Sequence, residues 1–239
     1  MHRRQFLKTT GGLLVTTGSL GRLAIAGDQA KRAMPSPDCR PTIRLTRGPY
    51  LVPNSPLRSD IREDRAGVPL KLKFSIVDHY FCQPLAGARI DVWHSDASGL
   101  YSGVENIQFD FESMRLTDRS IDMRGKSFLR GHQVSDGDGR VEFQTIFPGW
   151  YLGRLPHLHV MATVGDIDWL TFDTQLFFAQ EIERTVYQSP AYATRGQNPV
   201  GLDRDLVLRG DDAALRALTV PLAQIGDGFE GEVVLAMTA

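Results

Sequence analysis

Two histidines one residue apart, His157 and His159, sit in the short β-prone run LPHLHVMATV (155–164). Side chains at i and i+2 of a strand leave the same face, so both imidazoles project to one side, about 6–7 Å apart. Leu158 and Val160 project to the other. Imidazole is a common metal ligand, and a pair at this spacing can supply half of a metal site, although two ordinary structural histidines give the same pattern. Just upstream, PGWYLGR (148–154) carries the Pro and Gly of a turn. The chain can fold back there and bring the Tyr151 phenol and the Arg154 guanidinium to the imidazole face. A second stretch, PLAGARIDVWHSDASGLYSG (84–103), contains Tyr101 and His94.

The elements that must position these groups read as short strands. LKLKFSIV (70–77), ARIDVWH (88–94) and RVEFQTI (140–146) alternate apolar and polar residues, and PHLHVMATV (156–164) and TFDTQLFF (171–178) continue the series. Asp136-Gly137-Asp138-Gly139 and Gly165-Asp166 are turn chemistry between them. Helical periodicity is confined to 179–187 and 211–218. This pattern predicts an all-β fold, an antiparallel β-sandwich with long irregular loops and little helix, closed by a last strand over 228–239 on the sheet edge. Residues 48–70, with four prolines and dense charge, make a long loop of the kind that is functional or packed over something.

The first 26 residues read as an export signal. They combine a basic start, a mildly apolar stretch interrupted by Arg22, and the small-x-small pattern Ala24-Ile25-Ala26. Arg3-Arg4 followed by Gln5-Phe6-Leu7-Lys8 has the twin-arginine pattern. A spanning helix needs about 20 largely apolar residues, so no stable membrane anchor is expected after cleavage, and the protein is expected to be periplasmic or extracellular. An irregular, Pro-rich arm (27–47) follows, then a single catalytic-size domain (48–239). Of 27 Lys+Arg, four lie in 1–26, leaving 23 against 28 Asp+Glu. This acidic balance excludes a nucleic-acid or anionic-membrane surface as the partner. The two cysteines, Cys39 and Cys82, favour a bridge in an oxidising compartment, with two separate buried thiols as the alternative.

Together, PLAGARIDVWHSDASGLYSG and PGWYLGRLPHLHV closely resemble the intradiol ring-cleavage dioxygenases, the non-haem Fe(III) family of catechol, hydroxyquinol and protocatechuate dioxygenases. FLRGHQVSDGDGRVEFQTI (128–146) and TQLFF (174–178) are similar to that family too, in the same order, so the resemblance runs from about Gly48 to about Tyr192. It implies a β-sandwich in which Tyr101, Tyr151, His157 and His159 hold Fe(III). Tyr151 would leave the metal and take a proton as substrate binds. Arg154 would stabilise charge developing on the substrate ring, with Gln175 beside it. The implied reaction opens a catechol-type small aromatic between its hydroxylated carbons with O2, giving a cis,cis-muconate-type diacid.

The residue types agree with that implication, because Fe(III) is a hard cation, phenolate a hard donor and imidazole a good iron ligand. Two phenolates and a hydroxide neutralise the ion, as a partly buried site requires. The family's N-terminal stretch lies near the mouth of the site, where Tyr50 and Arg62 could meet substrate; by residue type alone they are surface groups. Pocket walls are expected from 50–65 and 103–127. Trp93, His94 and Trp150 read as packing groups around the ligands, and His2, His79 and His132 as solvated or structural. The helical dimerisation segment of the catechol-type members has no counterpart between Gly27 and Leu70. One alternative is a secreted β-sandwich binding module of the same fold without catalysis, whose mark would be a missing ligand. Copper and cupin-type iron sites also use H-x-H strands, but with more histidines or a carboxylate and without two tyrosines.

Overall fold

Alternation decides the first strand: in β1 (Pro69–Asp78) Leu70, Leu72, Phe74 and Ile76 are buried while Lys71 and Lys73 between them reach the surface. The protein was analysed as a computed structural model that describes residues 39–110, 115–165 and 171–237, all within the unit Pro35–Ala239. The export-signal segment 1–26, residues 27–38 of the arm, part of the expected 103–127 wall, Asp166 and the last two residues lie outside the described residues. Two four-stranded sheets carry the fold. One has the order β6 (Arg140–Ile146), β1, β10 (Gly228–Met237), β9 (Leu222–Ile225), and the other β5 (Arg130–Val134), β2 (Arg89–Trp93), β7 (His157–Thr163), β8 (Thr171–Phe177). A separate hairpin pairs β3 (Glu105–Asp110) with β4 (Arg115–Asp122).

The inner faces meet in one core. Leu72, Phe74 and Phe143 come from the first sheet, and Ile90, Val92, Leu158 and Val160 from the second, each at most 1% exposed. Burying each such side chain is worth about 1.5–3 kcal/mol, so the sheets cannot slide by one residue without turning this set to water. Three short helices, α1 (Gln180–Val186), α2 (Pro190–Ala193) and α3 (Asp212–Leu218), follow β8 or precede β9.

One expectation is corrected. The last strand does not lie on a sheet edge: β10 runs parallel to β1 over nine register pairs, from Leu70↔Phe229 to Asp78↔Met237. β9 covers its other side at Gly228–Gly231. A parallel pair needs a long crossover, and most of the chain lies between these two strands, which a local strand pattern does not reveal. Hairpin β3–β4 and strands β5 and β9 were also unread. Their sequences are charged or short, with no clean period of two.

Residues 39–47 of the arm form no regular element but are fixed in place. Thr42 N–H donates to Ala236 O at 2.9 Å, and Leu45 N–H to Asp173 O at 3.1 Å. Thr174 Oγ1 donates to Ile43 O at 2.7 Å, and Arg47 grips the Asp173 carboxylate at 2.8 and 2.9 Å. The arm thus crosses from β10 of one sheet to β8 of the other. Cys39 and Cys82 are bridged, 5.6 Å apart at Cα and 43 positions apart in sequence, a closure worth on the order of 3–4 kcal/mol.

Candidate metal centre

The site begins with the register of the second sheet. His157 and His159 point away from the inter-sheet core that Leu158 and Val160 enter, and both are 1% exposed. Opposite His159 stand Trp93 on β2 and Gln175 on β8. Trp93 lies flat on the His159 ring, centroids 4.9 Å apart and planes 1° apart. Above it comes the backbone of Gly48, in the left-handed region at φ 73°. A Cβ there would stand 2.9 Å from His159 Cε1, so conformation and closeness both require glycine.

Tyr101 and Tyr151 arrive on two loops that touch. Gly149 N–H donates to Asp96 O at 3.2 Å and Ser95 Oγ to Gly149 O at 2.7 Å. A Cβ on Gly149 would come within 2.2 Å of Asp96 O. The absence of a side chain at 149 therefore lets the Tyr151 loop close on the loop that leads to Tyr101.

The four groups converge on one nitrogen. His157 Nδ1–H donates to Leu155 O at 2.7 Å, which leaves the lone pair on Nε2. Around that atom lie His159 Nε2 at 3.1 Å, Tyr151 Oη at 3.2 Å, Tyr101 Oη at 3.5 Å and Arg154 Nη1 at 3.2 Å. Burial, then the Arg154 charge, hold both imidazoles well below the ordinary histidine range. Burial pushes the Tyr151 phenol up to about 12; it raises Tyr101 well above its ordinary value, with Tyr151 adding to the effect. The centre is thus a set of neutral imidazoles and phenols.

Two sp² nitrogens and two phenol oxygens turned toward one point fit a hard or borderline cation, whose charge would reverse the phenols' preference for the protonated form. A single imidazole lone pair cannot accept three donors, so hydrogen bonding alone does not account for the convergence. Among the described residues, no group of three or more His, Cys, Asp or Glu side chains is arranged to hold a metal. A donor set at this point would have to include the phenols.

Arg154 is 6% exposed. Its Nη2 donates to Gln175 Oε1, its Nε pairs with Asp205 at 3.1 Å, and Gln175 Nε2 in turn donates to Thr46 O at 2.8 Å. The structure therefore brings together all six expected residues, Tyr101, Tyr151, Arg154, His157, His159 and Gln175. Tyr50 joins them, stacked on Tyr101 with centroids 4.3 Å apart. Arg62 does not: it lies at the surface, paired with Asp60 at 2.7 Å. His94 stays outside the donor set, bonded to Thr145 Oγ1 at 2.6 Å and pulled down to about 4 by burial. His132 Nδ1 donates to Ser55 O at 2.7 Å, which makes it structural.

Sequence reasoning missed Asp205, Asn106 and Gly48. Asp205 and Asn106 carry no motif signal. Gly48 opens the GPY stretch, where a glycine beside an aromatic hints at close backbone approach.

A family profile described as dioxygenase matches residues 47–197, which include all six site residues. The chain is 31% identical over 150 residues to a chlorocatechol 1,2-dioxygenase of Rhodococcus opacus, covering 55% of this chain and 51% of that protein. It is 27% identical over 213 residues to a catechol 1,2-dioxygenase of Acinetobacter baylyi, covering 81% and 66%. The chain thus spans about half and about two-thirds of these curated relatives. Among solved structures, an intradiol ring-cleavage dioxygenase from Tetranychus urticae superimposes with a TM-score of 0.70 at 27% identity, over 84% of this chain and 95% of that one.

Proposed function

Because the chain belongs to the intradiol ring-cleavage dioxygenase family, we propose that it opens a catechol-type ring between the two hydroxylated carbons with O2. The product would be a cis,cis-muconate-type diacid carrying both oxygen atoms. The observation that carries the reading is the convergence of Tyr101, Tyr151 and His159 on the His157 Nε2 lone pair. Those four residues would hold Fe(III). Bound there, it would draw density from a chelated catecholate and make the ring reactive toward O2.

The chain's own residues supply the rest. Tyr101, which is buried, would stay in place, while Tyr151, only half-buried, would turn aside. Its Oη would then take one of the two catechol protons and the hydroxide the other, so that the phenolate and hydroxide given up match the dianion that enters. Arg154, aimed at the centre through Nη1, meets negative charge developing on the ring with a cation already in place. Gln175 accepts from Nη2 of that guanidinium. Trp93, stacked on the His159 ring, and the Gly48 backbone, close to its Cε1, help to keep water from it.

We also infer export through the twin-arginine-type segment. The Cys39–Cys82 bridge supports that reading, since such bonds persist in oxidising compartments. Among the described residues, no helix is long and apolar enough to cross a membrane.

The test is metal analysis and a visible spectrum of the purified protein, followed by oxygen uptake on a panel of catechols. Stoichiometric iron, the broad visible absorption of ferric tyrosinate and one O2 per ring opened are expected. A colourless iron-loaded protein, or extradiol products, would refute the assignment.

A further inference from the structure

Asp205 lies beyond the residues 47–197 matched by the family profile, in a turn between the helical segment after β8 and α3. Its carboxylate is fully buried, and its two oxygens divide their work. Oδ1 accepts from the backbone N–H of Val207 at 2.9 Å and of Leu208 at 2.8 Å, closing Asp205's own turn. Oδ2 accepts from Leu155 N–H at 2.7 Å and from Arg154 Nε at 3.1 Å, the same Nε–H reaching Oδ1 at a longer 3.3 Å. Next in sequence, Leu206 N–H donates to Gly153 O at 2.9 Å and seats the turn against the approach to His157.

Each side of the Arg154 guanidinium then has its own partner: Asp205 on Nε, Gln175 on Nη2 and His157 Nε2 facing Nη1. A guanidinium is planar, so fixing Nε and one terminal nitrogen fixes where the third points. Gln175 alone would leave the group free to pivot about a single contact.

We infer that Asp205 is a positioning residue for the ring-opening reaction: from outside the matched family segment, it locks the Arg154 guanidinium in the plane that aims Nη1 at the metal-ligand cluster. The inference rests on the role proposed above for Arg154. Such a group acts on the transition state rather than on substrate binding, because the charge that Arg154 meets develops as the ring reacts.

Asp205→Asn separates this role from a purely structural one. The amide oxygen can still accept from Val207 and Leu208 and keep the turn, but the amide nitrogen then faces two donors, Leu155 N–H and Arg154 Nε–H. The holoenzyme variant is expected to keep its iron, its visible band and its fold. Its kcat should fall about 10–100-fold, as for other groups that orient a metal site, with KM changed far less. In an Arg154→Gln background, D205N should cause no further loss, because its effect runs through the arginine. Independently of turnover, the Arg154 Nε–H resonance of the metal-free protein should shift and exchange faster with solvent in D205N.

Wild-type kcat in D205N, a loss that multiplies with R154Q, an unchanged Arg154 resonance, or an unfolded variant would each overturn the assignment; the last would place Asp205 in the turn alone. If the wild-type protein turned over no catechol, the functional reading would fall instead. The Arg154 resonance would then still decide whether Asp205 holds the guanidinium.

Discussion

The two phenols of the centre are held in opposite ways. Tyr101 is 1% exposed, and one side chain takes both of its peptide groups: Asn106 Oδ1 accepts from Tyr101 N–H at 2.8 Å, and Asn106 Nδ2 donates to Tyr101 O at 2.9 Å. The Tyr101 ring is stacked on Tyr50. Beside it, the buried Arg130 grips Ser102 Oγ at 2.9 Å and Tyr50 O at 3.1 Å. Around Tyr151 the clamps stop short of the ligand. Tyr192 Oη donates to Phe147 O at 2.6 Å, Tyr187 Oη to Pro148 O at 3.0 Å and Arg195 Nε to Trp150 O at 2.8 Å, and Asn198 Nδ2 then takes Arg154 O at 3.2 Å. Between them lies the tip 151–152, followed by Gly153 at φ 81°, whose carbonyl accepts from Leu206 N–H at 2.9 Å. The donor atoms are the same; the backbone makes one phenol a fixture and leaves the other a hinged tip between two fixed ends.

Removing each hydroxyl should therefore give unequal losses. Tyr101→Phe takes away the phenol proposed to stay on the metal, so the visible band should be lost once a catechol displaces Tyr151, and turnover should fall beyond the about 10–100-fold typical of groups outside the ligand set. Iron content, absorbance and oxygen uptake would measure it. Tyr151→Phe should shift the band rather than abolish it and slow substrate binding by about 10–100-fold, read by stopped-flow with a catechol. Equal losses and equal spectra for the two variants would erase the distinction between fixed and hinged phenol.

This asymmetry was legible in the sequence only in outline. Period-two alternation exposed β1, β2, β6, β7 and β8, and the i, i+2 rule placed His157 and His159 on one face. Tyr101, Arg154 and Gln175 came from motif resemblance, since nothing in spacing alone joins residues fifty positions apart. Illegible were the groups that act through the backbone. Asn106 and Asp205 are polar residues in loop or edge segments, where such residues are ordinarily solvated, and only the fold shows them buried and bonded. The parallel β1–β10 pair was hidden for a related reason: pairing partners at opposite ends of a domain leave no local trace.

On the fixed side, Asn106→Leu should strand the buried N–H and C=O of Tyr101 and cost about 2–3 kcal/mol, seen as a lower Tm. The visible band should broaden as the phenol gains freedom. A variant with unchanged Tm and band shape would show that the Tyr50 stack and Arg130 suffice to hold the ring.

The smallest effect on the centre is expected on the hinged side, from a carboxyl that supports it at one remove. Glu183 lies on α1, whose C-cap Tyr187 clamps Pro148. Burial pushes Glu183 up to about 8, against the favourable charge of Arg184 and with that of Glu181 adding to the rise. Between its ordinary value near 4.5 and about 8, the native chain holds a proton that the unfolded chain has lost. Stability should therefore fall as pH rises through that window and level off above it. Thermal denaturation from about pH 5 to about pH 9 should show this fall in the wild type and a flatter curve in Glu183→Gln, with turnover within about twofold of wild type, as for substitutions far from the chemistry. Parallel curves would move the titration elsewhere. A large loss of turnover in Glu183→Gln would mean that the clamp at Pro148 reaches past residue 150 to the phenol itself, and the tip would no longer count as hinged.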